Sequence, residues 1–132
     1  MLTRREGLIM YWCEGDRSEE SRTYRVALTS SDVAMLKLFI GWLEEYYSVK
    51  RDQIKLRLHL WRNINEKLAK EFWSTSLSIP LQNFTKSWIK PKGKGKRIHS
   101  YGICRAGISS KELLHKILAE IDKEFIVPSA AQ

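Results

Sequence analysis

Three groups of side chains are spaced so that they could do chemistry. The first is the carboxylate pair Glu14 and Asp16, flanking Gly15 at the end of the apolar run Gly7-Leu8-Ile9-Met10-Tyr11-Trp12-Cys13. An unpaired charge beside a buried segment is costly, and carboxylate oxygens are the ligands that hard cations such as Mg²⁺ prefer. Glu14 is therefore a candidate metal ligand and catalytic residue, and Asp16 a second metal ligand that could equally cap the next turn. The plain alternative for Glu14 is a solvated helix end beside a turn glycine.

The second group lies in residues 54–60, Ile-Lys-Leu-Arg-Leu-His-Leu. Strict alternation predicts a strand with one apolar and one cationic face. Lys55, Arg57 and His59 would then form a row repeating at about 6.7 Å, close to the spacing of alternate residues in a strand. A solvated sheet face usually mixes charge signs and hydroxyls, and this one is uniformly basic. Arg25 and Arg105, in the strand-like segments 24–28 and 101–109, are candidates for the same surface. The third group is Lys86, Lys90, Lys92, Lys94, Lys96 and Arg97, six basic residues in twelve with no acid among them. Gly93 and Gly95 interrupt the lysines, so the backbone there can approach a phosphate closely. The glycine spacing does not fit a phosphate-cradling P-loop. A hairpin tip between residues 83–90 and 98–106, making sequence-independent backbone contacts, is the expectation. Trp88, His99 and Tyr101 flank this tip.

These residues need elements to hold them. Gly15 ends a short apolar helix. Ser30 or Ser31 is expected to cap a second helix, with Leu36, Phe39, Ile40, Leu43 and Tyr47 as its inward stripe. Asn63, with Glu66 three residues on, is expected to cap a third helix over 65–77 whose stripe is Leu68, Phe72 and Trp73. The last helix is expected to begin at Ser109 or Ser110, with Ser109 and Glu112 as a capping box and Leu114, Ile117, Leu118, Ile121 and Phe125 as its stripe. The resulting order is α–β–α–β–α–β–β–α, with a short extra strand near 17–22, an α+β class with helices on one side of an antiparallel or mixed sheet. Residues 1–127 form one domain and 128–132 a disordered tail.

Composition narrows the partner. The 132 residues carry a net charge of +8, with a pI near 9.6, and excess positive charge on a small domain points to a polyanion. No apolar run approaches the roughly 18 residues of a membrane span, and no amphipathic helix joins a basic face to an exposed aromatic one, so no membrane partner is expected. The N-terminus lacks a signal-peptide pattern, which predicts an intracellular, cytoplasmic protein. Cys13 and Cys104 are too few for a disulfide framework, and the scattered His59, His99 and His115 make zinc unexpected. No small-molecule cofactor is expected.

The acid–Gly end of the first apolar helix, a polar turn, the strand Tyr24-Arg25-Val26-Ala27-Leu28, the Thr29-Ser30-Ser31-Asp32 cap and a long amphipathic helix resemble a single-motif member of the LAGLIDADG homing-endonuclease superfamily. The strand YGICRAGIS followed by SKELLHKILAEI is similar to that family's last strand and last helix. The resemblance covers most of the chain outside about residues 62–96, which read as an insertion carrying an extra helix and the basic hairpin tip. Ile9 and Trp12 stand where the family has a small residue and its first acid. The resemblance implies a curved sheet straddling double-stranded DNA and a homodimer joined through the signature helix. Gly7, Met10 and Cys13 would lie at that dimer crossing, and Glu14 would bind Mg²⁺ for phosphodiester cleavage. A DNA-binding regulator without cleavage, or an RNA-binding module, remains open beside it.

Overall fold

Thr3 starts the first helix, α1 (Arg4–Glu14), through a reciprocal cap. Its hydroxyl accepts from the Glu6 amide at 3.1 Å, and its own amide donates to the Glu6 carboxylate at 2.8 Å. The computed structural model describes residues 1–17, 25–91 and 100–126. Only Gly7, Leu8 and Tyr11 of α1 are buried, so the long apolar run serves one helix face and leaves Ile9 46% exposed. Gly15 then turns the chain into β1 (Gly15–Asp16) with extended rather than left-handed backbone. A Cβ there would collide with the Tyr11 ring. The Tyr11 hydroxyl donates to the Asp16 carbonyl at 2.7 Å and ties the helix end to the strand. The extra strand expected near 17–22 falls almost wholly on residues 18–24, which lie outside those described.

The remaining strands are β2 (Arg25–Ser30), β3 (Lys55–Trp61), β4 (Trp88–Lys90) and β5 (Ile103–Ser109). They form a mixed sheet in the order β1-β2-β5-β3-β4, antiparallel except for the parallel β3–β4 pair. This overturns the hairpin expected between residues 83–90 and 98–106. β4 lies on the far side of β3 from β5, so the two strands are not neighbours in the sheet. The parallel pairing arises because the helix between β3 and β4 returns the chain to the same end of the sheet, as parallel neighbours require. Buried Asn83 anchors that return by donating to the carbonyls of Asp52 and Ile54, both at 2.9 Å.

Three helix caps fall beside the expected residues. α2 (Val33–Tyr47) is capped by Asp32, which accepts from the Ala34 amide at 2.9 Å. α3 (Glu66–Leu77) is capped by Asn65, not Asn63, and α4 (Lys111–Ile121) is capped by Ser110, the second of its two expected starts, in place of the Ser109–Glu112 box. In each case a neighbouring residue of equal capping chemistry has the extended backbone that aims its oxygen at the free amides. α3 buries Ala69, Trp73 and Leu77, while Leu68 is 54% exposed, so its inward stripe is turned from the expected one. Trp42 of α2, outside the expected stripe, is fully buried and donates its indole N–H to the Arg4 carbonyl at 3.1 Å. A single π turn, Asp122–Ile126, extends α4 and stacks Phe125 on Trp12 at 5.7 Å. Arg4 closes this side, bonding Glu120 at 2.8 Å and also Glu124, whose carboxylate Arg4 holds below its ordinary range.

One hydrophobic cluster joins α1, α2, α3 and α4 to the inward residues of the sheet, among them Val26, Leu28, Leu56, Leu58, Leu60 and Ala106. The other face of the sheet is left to the alternate residues. Among the described residues, no helix is long and apolar enough to cross a membrane.

Candidate nucleic-acid interface

The open face follows from register. Arg57 of β3 stands directly opposite Arg105 of β5, and Lys55 opposite Gly107. Gly107 in turn faces Ala27 of β2, and Arg25 faces Ser109. Ala27 and Gly107 make a low floor, and a Cβ on Gly107 would collide with the backbone of Val26 and Ala27. Long side chains from the surrounding positions rise around that floor. The result is an open cleft of about 660 Å³ lined by Arg25, Lys55, Arg57 and Arg105, with Gln53 and Thr85 at its rim.

The electrostatics of this cleft are unbalanced. Arg105 is half-buried, and its pKa is lowered by burial first and then by Arg25 and Arg57. Like charges directly opposite on antiparallel strands are destabilising, so the Arg57–Arg105 pair is an arrangement an anion would relieve. The Nε of Arg57 is buried without a hydrogen-bond partner. Asp16 on β1 is paired with Ala27 in register, and its carboxylate bonds Arg25 at 3.1 Å. It sets a carboxylate against the cleft cations.

His59 continues the row towards the β4 edge. Its pKa is lowered by burial, then by Arg105, Arg57 and Lys90, so the imidazole is neutral near pH 7. His59 and Trp88 are register partners, with ring centroids 5.2 Å apart. Lys90 sits with its Nζ 4.5 Å from the Trp88 ring centroid.

The expected site residues thus divide. Arg25, Lys55, Arg57 and Arg105 converge in one cleft, and His59 and Lys90 lie along the same face. Lys86 is exposed but does not line the cleft. Lys92, Lys94, Lys96 and Arg97 lie outside the described residues, as does the 128–132 tail. Glu14 is exposed at the end of α1 and does not line the cleft. Asp16 is brought to Arg25. Among the described residues, no group of three His, Cys, Asp or Glu side chains could hold a metal ion.

Gly7 is buried against α2, and a Cβ there would lie inside the Trp42 indole, so its smallness is required by the chain's own fold. Met10 is half-buried against the same core, and Cys13 is exposed. Sequence reasoning missed Gln53, Thr85 and Trp61. Trp61 had a signal, since it extends the alternation of Lys55, Arg57 and His59 by one step. The other two had none, because their place depends on turns that precede β3 and β4.

No family model matches this chain, and searches of curated proteins and of solved structures return no match.

Proposed function

We propose that this protein binds double-stranded DNA on the open face of its sheet, with Arg25, Lys55, Arg57 and Arg105 as the central phosphate contacts. The observation that carries the reading is their convergence in one cleft opposite the hydrophobic core, around a floor of Ala27 and Gly107. Guanidinium forks suit phosphate oxygens bidentately, and a shallow cationic sheet is a surface that follows a duplex backbone. Lys90 extends the same field along the β4 side. The acid–Gly junction of α1 and β1, the helices on one face, and the final β5–α4 pair are in keeping with a LAGLIDADG-like fold.

The dimer in this reading is built on the outward side of α1. Ile9 and Cys13, one turn apart and exposed, with half-buried Met10, form the strip a second copy would cover. An isologous contact there would bring two copies of Glu14 together. Cleavage belongs to such a dimer only, since one chain offers a single exposed carboxylate at the helix end. Bound between the two copies of Glu14, Mg²⁺ would supply an activated water and charge for the leaving oxygen.

The test is twofold. Affinity for a duplex should fall with salt at about 0.9 log units per log unit for each phosphate contact, and flat binding between low and physiological salt would rule the interface out. Glu14→Gln should retain duplex binding while abolishing any Mg²⁺-dependent nicking. Binding without nicking by the unmodified chain selects the non-catalytic DNA-binding protein.

A further inference from the structure

The β4 end of the open face differs in chemistry from the cleft. Parallel pairing sets His59 beside Trp88 and Trp61 beside Lys90. These four residues therefore form a two-by-two grid on the open side, because Leu60, between His59 and Trp61, points into the core. Trp88 is 49% exposed and Trp61 half-buried. β4 is an edge strand, and neither the core nor a helix accounts for a tryptophan at this position. The grid continues the row of Arg57 and Arg105 without a break, so a ligand that spans both must carry negative charge at one place and a flat apolar face at the next.

We propose that Trp88, supported by His59 and Trp61, is a stacking platform for unpaired nucleobases that continue from a duplex held in the cationic cleft. Aromatic side chains interleaved with cations are the general means of holding single strands, since every base offers a π face. His59 meets Trp88 edge-on and braces its ring. In the free protein the Lys90 ammonium lies over the indole. An arriving nucleotide gives that ammonium a stronger partner in its phosphate, and the ring face passes to the base. The ligand class is a duplex with a single-stranded extension, gap or flap, in preference to a blunt duplex. The inference rests on the duplex-binding reading for one half of the ligand.

The experiment is fluorescence anisotropy at one fixed salt concentration with four probes. These are a blunt DNA duplex, that duplex with a short DNA overhang, the duplex with an abasic overhang of equal length, and the duplex with an RNA overhang. The base-bearing overhangs should bind at least about fivefold tighter than the abasic one, given the usual strength of a single base–aromatic stack. Trp88→Ala should erase that preference and leave blunt-duplex affinity unchanged. Trp88→Phe, a safeguard against a folding defect, should keep part of it. Equal binding of abasic and base-bearing overhangs would show that charge alone acts and overturn the proposal. Retention of the preference by Trp88→Ala would overturn it too, as would a gain confined to RNA or to DNA, which places recognition on the sugar. Absence of blunt-duplex binding by the unmodified chain, with the overhang preference intact, would instead remove the duplex reading and leave the platform standing.

Discussion

Strand β3 carries two surfaces that differ in every respect except their backbone. Leu56, Leu58 and Leu60 are fully buried beneath the helices, while Lys55, Arg57 and His59, each one residue away, face outward. Burial of the leucines removes apolar area from water and favours folding. The outward residues return little of that kind: Arg57 faces Arg105, and both guanidiniums lie partly out of water beside like charge. The difference teaches that the second surface costs the fold something, which the proposed duplex-binding role would account for.

The sharpest way to break this contrast is to truncate one residue on each face. Leu58→Ala should lower unfolding free energy by about 2–5 kcal/mol, the usual range for deleting a fully buried leucine side chain. Arg57→Ala should stay within about 0.5 kcal/mol of the parent. Urea unfolding monitored by circular dichroism measures both. A comparable loss for the two substitutions would mean that the cationic face is structural after all.

Gly7→Ala tests the same division on α1. The new methyl would have to displace the Trp42 indole, and overpacking of this kind costs about 1–3 kcal/mol. The loss should be independent of protein concentration, because the obstacle is within the chain. A stability change that grows on dilution would return Gly7 to an interface between copies.

Joint replacement of Arg57 and Arg105 by alanine probes the outward face directly. The salt slope for duplex binding should flatten by about 0.9 for each lost phosphate contact. Stability in the absence of DNA should hold or rise by about 0.2–1 kcal/mol, since a directly opposed like-charge pair is removed. An unchanged slope would dissociate the cleft from the ligand.

How much of this was legible beforehand depended on whether the signal was local. The β3 alternation is written residue by residue, and the observed strand is displaced by one position from the expected 54–60. The stripes of α2 and α4 read correctly for Leu36, Phe39, Ile40, Leu43, Leu114, Ile117 and Ile121, because one face of a helix meets one core. Trp42 did not, since its partner is α1 and no spacing within α2 points there. Neither did the neighbour of β4. An extended segment before a basic run looks like half a hairpin, and only the return through α3 and Asn83 places it beside β3. The cleft was half legible: its cations could be named one at a time, but their convergence depends on the small floor residues Ala27 and Gly107, which have no chemical signature.

The smallest expected effect concerns His59, where the two surfaces meet. Its pKa lies below the ordinary histidine value because burial and then the neighbouring Arg105, Arg57 and Lys90 disfavour the charged imidazolium. The unfolded chain therefore binds more protons than the native one below about pH 6.5. The stability this group contributes is present above that pH and declines as pH falls through the lowered native value. Binding reverses the sign. A phosphate beside the imidazole offsets the three cations and raises its pKa, so association takes up part of a proton and strengthens on acidification. A shift of one pKa unit on binding corresponds to at most about a tenfold gain. Duplex dissociation constants measured at constant ionic strength across about pH 5.5 to 7.5 should fall towards the acid end in the parent, and His59→Gln should flatten the profile. A parent profile as flat as the variant's would place the ligand away from His59 and confine it to the cleft around Arg25 and Lys55.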